Sequence, residues 1–314
     1  MEITKYFKAL SDETRLRLLN LLLHHELKVG EMVAVLEMGQ SRISRHLKIL
    51  VEAGLLNTLK EGTWGLYFVA DRGPGHDLVE SIRYLFKDNE LMQADLVRAA
   101  GVIKERRLST QRFFNTIADR WGLLKHEILG DFDLNRFILK EVGRHSVAVD
   151  LGCGTGDLLE GMVAHAGQVI GVDSSPGMLD QARKRFNNHD NRVEIRLGEL
   201  EHLPLSDQEA DLAITSLVLQ YLDEPEAAIA EVSRVVRPGG CFLIADLERH
   251  QQAVLRDKYG ARWLGFDTEK IKQWLSNQGF DLTSVERYPL QQDLAINIFQ
   301  SRRQTAGDSP PSAQ

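Results

Sequence analysis

Residues 147–156, VAVDLGCGTG, decide the fold of the larger part of this chain. The apolar run VAVDL is typical of a buried strand, and glycines follow it at every second position, Gly152, Gly154 and Gly156. Glycine allows backbone conformations that are closed to other residues, and it lets the main chain approach a ligand closely. A strand that ends in such a turn predicts an α/β domain that holds a nucleoside ligand at the carboxyl end of the strand.

Strand-like and helix-like segments alternate from Ser146 onward, which predicts a doubly wound, largely parallel sheet. The second strand ends at Asp173, whose carboxylate can accept both hydroxyls of a ribose. Asp157 stands where a dinucleotide fingerprint requires a third glycine, and no Gly-Lys-Ser/Thr follows. The turn therefore favours neither a dinucleotide nor a nucleoside triphosphate. The predicted strands are SVAVDL, QVIGVD, RVEIRL, DLAITS, GCFLIA, DLTSVERY and LAINIFQS.

A second informative stretch, SRISRHLKILVEAGLL, occupies residues 41–56. Its apolar period predicts a helix that Ser41 caps and Gly54 ends. A short helix is predicted over residues 28–36, and a tight turn that contains Gly39 joins the two. Two helices joined in this way form a helix-turn-helix pattern.

The second of these helices is basic, because no acidic residue lies between Glu37 and Glu52. In a helix-turn-helix, the N-terminal end of this helix meets the base edges of DNA, where arginine can pair with guanine and glutamine with adenine. Strand-like segments over residues 55–60 and 64–70 then predict a wing. The predicted DNA contacts are Gln40, Ser41, Arg42, Ser44, Arg45, His46, Lys48 and, on the wing, Lys60.

This half of the chain resembles the ArsR family of dimeric bacterial repressors. The resemblance rests on KALSDETRLRLLNLL, on SRISRHLKILVEAGLL and on the hairpin that ends in YFVA, and it covers about residues 3–86. It implies a winged-helix homodimer that binds a two-fold, double-stranded operator. It also implies that residues 76–86 form part of the dimerising helix.

The sequence departs from the metal sensors of that family. Those proteins carry a cysteine pair on the helix before the recognition helix, where this chain has ELKVGEMVAVL. His24 and His25 are adjacent, which is a poor spacing for chelation on one helix face. Asp71, His76 and Asp77 lack the full pattern of a dimer-helix zinc site. We therefore predict no metal site.

From about residue 113 to residue 301 the chain resembles class I S-adenosylmethionine-dependent methyltransferases. The matching pieces are FFNTIADRW, VDLGCGTG, VIGVDSSPGML, RLGELEHLPL, DLAITSLVLQYLDEP and EVSRVVRPGGCFLIADL. The resemblance implies that S-adenosylmethionine or S-adenosylhomocysteine binds with its methionine part at the glycines, its amino group near Asp150 and its ribose on Asp173. Met178 would pack on the adenine, Glu199 and Leu200 would lie by its edge, and Ser216 and Leu217 would line the pocket below. The predicted ligand-binding set is Asp150, Gly152, Gly154, Gly156, Asp173, Ser174, Met178, Glu199, Leu200 and Ser216.

Methyl transfer requires an acceptor placed in line with the sulfonium, and sometimes a base. The candidate bases are Tyr221, Asp246 and His250, and two further polar residues, Gln220 and Glu248, follow the same strands. Each of these could equally be a surface residue. Arsenite methylation is disfavoured because it would require several thiols, and the chain has only two cysteines.

Composition and segment patterns limit the remaining alternatives. The net charge of −7 argues against a protein that coats nucleic acid, although it permits a local basic patch. The sequence shows no apolar run of membrane-spanning length and no signal-peptide core, so we expect a cytoplasmic protein. We predict a winged-helix and dimerisation domain over residues 1–88, a helical connector over 89–142, an adenosyl-binding methyltransferase-like domain over 143–302 and a disordered tail over 303–314.

Three functions are compatible with this combination. In the first, the chain is a DNA-binding transcriptional regulator, a repressor, whose second domain binds S-adenosylhomocysteine or S-adenosylmethionine as effector; the chain resembles regulators of this architecture that respond to S-adenosylhomocysteine. In the second, it is an active methyltransferase of a small-molecule acceptor with an appended DNA-binding domain. In the third, the second domain serves only in dimerisation. The sequence favours the first and leaves open whether the domain turns over.

Overall fold

The computed structural model describes residues 2–61, 64–140, 142–186 and 191–305. It divides into two compact units, Met1–Leu108 and Ser109–Gln314. The division falls inside the predicted connector, so the first part of that connector belongs to the first unit and the rest to the second.

The first unit is a helix-turn-helix with a wing, as predicted. This unit also contains a three-stranded antiparallel sheet in the order β1-β3-β2. Its elements are α1 (Glu2–Leu10), α2 (Glu13–His24), β1 (Leu27–Lys28), α3 (Val29–Leu36), α4 (Gln40–Ala53), β2 (Leu56–Glu61), β3 (Trp64–Val69), α5 (Pro74–Ile82), a 3₁₀ turn (Arg83–Phe86) and the first part of α6 (Glu90–Ile117).

Local capping explains where the first helices begin and end. The Asp12 carboxylate accepts a hydrogen bond from the Arg15 N–H at 3.1 Å and so caps α2. Gly54 ends α4 in the left-handed conformation, with φ of +77°. Gly39, and not Ser41, is the N-cap of α4, because the helix already begins at Gln40. The expectation that Ser41 caps this helix was therefore wrong.

A buried ion pair fastens α6 to α2 inside the first unit. The Arg17 guanidinium donates to both carboxylate oxygens of Asp95, at 2.7 and 2.8 Å, and Asp95 is fully buried. Arg98 donates to the same carboxylate. The same helix contributes three apolar side chains to the hydrophobic core of the first unit, Met92, Ala99 and Ile103.

The second unit contains the predicted doubly wound sheet, and all seven predicted strands are present. The order is β6-β5-β4-β7-β8-β10-β9, and the strands are parallel except β10, which runs antiparallel to both neighbours. The strands are β4 (His145–Leu151), β5 (Ala166–Asp173), β6 (Val193–Leu197), β7 (Ala210–Ser216), β8 (Val236–Leu247), β9 (Phe280–Pro289) and β10 (Ala295–Arg303). The helices are the end of α6, α7 (Trp121–Leu129), α8 (Leu134–Lys140), α9 (Asp157–Met162), α10 (Pro176–Phe186), α11 (Pro225–Val235), α12 (Val254–Tyr259) and α13 (Thr268–Asn277).

The winding of the sheet determines where a ligand can bind. From β4 the chain crosses through α9 to β5 and through α10 to β6, whereas from β7 it crosses through α11 to β8 on the other side. Right-handed crossovers in opposite directions place these helices on opposite faces and open a crevice between the carboxyl ends of β4 and β7. The glycine turn follows β4 directly, so it lies at this crevice.

Two further expectations concern the C-terminal tail and membrane-spanning helices. Arg303 still belongs to β10, and residues 306–314 of the predicted tail lie outside the described residues. In the part of the chain that the structure describes, no helix combines the length and the apolar character needed to cross a membrane.

Candidate functional site

The glycine turn after β4 has the backbone conformation that its sequence predicts. Gly152, Gly154 and Gly156 all have positive φ, at +76°, +52° and +80°. A Cβ on Gly152 would lie 2.4 Å from a methyl carbon of Val218, so this position has no room for a side chain. Gly156 immediately precedes α9. The turn therefore presents bare backbone and the N-terminus of a helix to the crevice.

The Asp173 carboxylate is held at the end of β5 by backbone donors. It accepts hydrogen bonds from the N–H of Gly154 at 2.9 Å and of Ser175 at 2.8 Å, one on each oxygen. Burial raises its pKa, and the backbone donors oppose that shift. Each carboxylate oxygen can accept a further hydrogen bond. Asp173 is thereby fixed against the glycine turn with acceptor capacity left for a ligand.

Asp150, the last but one residue of β4, is buried. Burial raises the pKa of its carboxyl group to about 7, the nearby cation of Lys125 opposes this shift, and the carboxylates of Asp173 and Asp157 add to it. When the pKa of a carboxyl group is raised by burial, a nearby cationic ligand group stabilises its ionised form.

Asn115, near the end of α6, organises the loop between β5 and α10. Its side-chain oxygen accepts hydrogen bonds from the Ser175 hydroxyl at 2.7 Å and from the Gly177 N–H at 2.9 Å. The same hydroxyl accepts from the Met178 N–H at 3.2 Å. Gln111 donates to the carbonyl of Ser174. Asn115 belongs to the stretch FFNTIADRW, but the sequence alone does not indicate its role, because its partners lie about sixty positions further on.

The remaining predicted pocket residues lie in α10 or at the carboxyl ends of β6 and β7. Met178 is buried against Ile117 and Ala118 in a cluster that includes aromatic side chains. Leu200 is buried, whereas Glu199 is exposed. At the end of β7, the Ser216 hydroxyl is buried and has no hydrogen-bond partner among the residues that the structure describes. The strand order thus brings the predicted set to one edge of the sheet.

Two of the candidate bases, Asp246 and Tyr221, make contacts that give them a structural role. Asp246 accepts hydrogen bonds from the N–H groups of Leu219 at 2.9 Å and Leu247 at 2.8 Å, and burial raises its pKa to about 7. It therefore holds the 3₁₀ turn that contains Tyr221. The Tyr221 ring packs edge-on against Phe114 with 4.8 Å between centroids, and burial raises its pKa.

His250 is a different case. It is buried, and burial lowers its pKa to about 4, so the ring is neutral at neutral pH. Its Nδ1 accepts a hydrogen bond from the Gln252 N–H at 3.1 Å, which leaves the proton on Nε2. Within the described ranges that Nε2 has no partner, and neither has the buried side-chain oxygen of Gln220. Both residues bond through their backbones to the same segment, Gln220 to Arg262 and His250 to Leu264.

The predicted DNA-reading helix α4 exposes most of the residues expected on it. Its basic outer face consists of Arg42, Arg45 and Lys48, with Gln40 and Ser41 exposed at the N-terminus and Ser44 half-buried. Arg42 also donates to the Thr14 hydroxyl at 3.4 Å.

Two predicted contacts stand apart from this face. His46 is buried, its Nδ1 lies 3.6 Å from a carboxylate oxygen of Asp12, and burial lowers its pKa. We therefore remove His46 from the candidate contacts, since a buried neutral ring cannot reach DNA. Lys60 lies in β2, and its side chain is outside the described part of the structure. Among the described residues, no three His, Cys, Asp or Glu side chains form a group that could hold a metal ion.

Comparisons with known proteins match both units. Residues 149–244 match the family described as a methyltransferase domain, and residues 12–58 match the bacterial regulatory protein, arsR family. A transposon protein of Streptomyces fradiae, described as an uncharacterized 37.1 kDa protein, is 47% identical over 102 residues, which are 32% of this chain and 29% of that protein. A malonyl-(acyl-carrier protein) O-methyltransferase of Yersinia pestis is 35% identical over 124 residues, 40% of this chain and 43% of that enzyme. The chain thus spans less than half the length of either relative.

A solved structure shares the fold of the second unit. It is a complex between a Haloferax volcanii methyltransferase activator and a methyltransferase. The matched chain superposes with a TM-score of 0.52 at 16% sequence identity, over 61% of this chain and 98% of that chain.

Proposed function

Since the chain joins an arsR-family helix-turn-helix to a methyltransferase domain, we propose that it is a dimeric transcriptional repressor controlled by an adenosyl ligand. The observation that carries the proposal is the coexistence of an exposed basic face on α4 with a glycine cradle at the crevice of the second unit. S-adenosylhomocysteine is the favoured effector, and S-adenosylmethionine is the second candidate.

The residues at the crevice fit an adenosyl ligand. Three glycines with positive φ let the backbone approach a ligand without obstructing side chains. Asp173 is held in place with spare acceptor capacity for ribose hydroxyls. The buried Ser216 hydroxyl, which has no partner in the described part of the chain, is a polar group that a ligand could satisfy. The proposed binding set remains Asp150, Gly152, Gly154, Gly156, Asp173, Ser174, Met178, Glu199, Leu200 and Ser216.

Methyl transfer to a small acceptor is the second candidate, and one observation favours it. Near the ends of β8 and β7, the Nε2–H of His250 is a buried donor and the side-chain oxygen of Gln220 is a buried acceptor, and neither has a partner among the described residues. Buried polar atoms without partners are uncommon in folded proteins, and they often mark a site where another molecule supplies the missing hydrogen bond. A polar acceptor would do so here. Turnover of S-adenosylmethionine by the purified chain with a small acceptor would establish this function.

The test of the proposed function is operator binding with and without ligand. Purified chain is titrated against the DNA upstream of its own gene in the presence of saturating S-adenosylhomocysteine and, separately, S-adenosylmethionine. We expect one ligand to change the operator affinity more than the other, because an effector must bind two protein states unequally. Unchanged operator affinity with both ligands bound would refute regulation by this pocket.

A pair of variants tests the DNA surface in the same assay. Arg45→Ala should weaken operator binding about 10- to 100-fold, as expected for loss of a base contact, and should leave ligand binding intact. Arg302→Ala removes the same charge from an exposed position on β10 in the second unit and should leave the operator affinity nearly unchanged. Equal effects of the two variants would show that α4 does not read the operator.

A further inference from the structure

Helix α7 lies directly over the glycine turn. The indole nitrogen of Trp121 is 3.7 Å from the position that a Cβ would take on Gly154. Leu124 packs both on the main core of the second unit and on the aromatic cluster around Met178. Residues four apart share one face of a helix, so Lys125 follows Trp121 on the side that covers the turn.

Lys125 is half-buried among carboxylates. Its ammonium group interacts electrostatically with Asp157, Asp150 and Asp133, and it lies 3.4 Å from the side-chain oxygen of Asn135. Burial lowers its pKa, and the carboxylates oppose that shift. Asp157 already pairs with Arg185 at 2.5 Å. Lys125 thus lies on the helix that covers the glycine turn, close enough to Asp150 for their charges to interact.

The charge of the ligand requires such a cation. The amino-acid end of S-adenosylhomocysteine carries an ammonium and a carboxylate on the same carbon. The predicted binding set offers three acidic residues, Asp150, Asp173 and Glu199, and it contains no basic side chain. A ligand carboxylate placed among these groups alone would be repelled, whereas a half-buried ammonium would attract it strongly.

We propose that Lys125 binds the α-carboxylate of the adenosyl ligand while Asp150 faces its α-ammonium. This assignment rests on the proposed function, because it presupposes an adenosyl ligand in the crevice. It extends the site to α7 and makes Lys125 a determinant of specificity for ligands that retain the amino-acid group.

The experiment compares two compounds on three variants of the full-length chain without DNA. S-adenosylhomocysteine carries the amino-acid group, and 5′-methylthioadenosine lacks it while keeping the adenine, the ribose and the sulfur. Calorimetric titration should show that Lys125→Met weakens binding of S-adenosylhomocysteine about 10- to 100-fold, as expected for loss of a charge-assisted hydrogen bond, with little change for 5′-methylthioadenosine. Lys125→Arg should retain most of the affinity. Lys184→Met, at an exposed position on α10, is the matched charge control.

The outcomes separate this assignment from the proposed function. A parallel loss of affinity for both compounds in Lys125→Met, or no loss for either, would overturn the role of Lys125. A parallel loss that Lys125→Arg does not repair would show a structural role instead. If the wild-type chain bound neither compound, the proposed function would fail and the assignment with it.

Discussion

Ligand affinity should depend on pH through Asp150. Lowering the pH from about 8 to about 6 should weaken binding of S-adenosylhomocysteine, because protonated Asp150 cannot attract the ligand's ammonium group. The carboxyl group is buried beside two other carboxylates, and its pKa in the ligand-free protein is raised to about 7.

The sign and size of the effect follow from linkage. A bound ammonium stabilises the ionised carboxylate, so the pKa of Asp150 falls in the complex. Affinity is therefore complete above the ligand-free pKa of about 7 and declines as the pH drops below it. At about pH 6 only about one Asp150 in ten is ionised, so the affinity should fall about tenfold, or about 1.4 kcal/mol.

Calorimetric titration across this range measures the slope, and Asp150→Asn supplies the control. The variant should bind more weakly at about pH 8 and should lose most of the pH dependence, because its amide does not titrate in this range. His250 does not contribute, since its pKa of about 4 lies below the window. Equal slopes in the wild type and in Asp150→Asn would refute the assignment of the ammonium group to Asp150.

Two further predictions concern the folded state. Gly152→Ala should destabilise the second unit by about 2–5 kcal/mol, since a methyl group there meets Val218 and forces a left-handed residue, and thermal melting should show this while Gly122→Ala, in open space, has little effect. Asp95→Ala should cost the first unit about 3–5 kcal/mol, because it removes a fully buried carboxylate and leaves the half-buried Arg17 without its partner. Glu80→Ala removes an exposed ion pair and should cost at most about 1 kcal/mol in the same urea denaturation, so similar losses for the two variants would contradict the difference in burial.

The sequence predicted those features that depend on local pattern. Buried parallel strands are apolar runs of limited length, and all seven were found because turns and helices separate them. The glycine turn was predictable because positive φ values strongly favour glycine. The recognition helix was predictable from its apolar period and from Gly54, which ends it.

Features that depend on tertiary contact were not predictable. Asn115 bonds to residues about sixty positions away, and the electrostatic interaction of Lys125 with Asp150 depends on α7 lying over the turn. His46 was grouped with the basic face by its position in the chain, although its side chain points to Asp12. A sequence pattern predicts which face of a helix is apolar. It does not predict which polar residues of that helix are covered by another part of the chain.

Regulation through the second unit carries a thermodynamic requirement. A ligand that binds both DNA-competent and DNA-incompetent states equally shifts nothing, however tightly the glycine turn holds it. Coupling is also reciprocal, so operator DNA must change the affinity for S-adenosylhomocysteine by the same factor by which the ligand changes operator affinity. For a tenfold effect each titration should shift by about 1.4 kcal/mol. If the ligand altered operator binding while DNA left the ligand affinity unchanged, the apparent regulation would come from something other than an equilibrium between two states of this chain, such as methylation of the DNA or the protein.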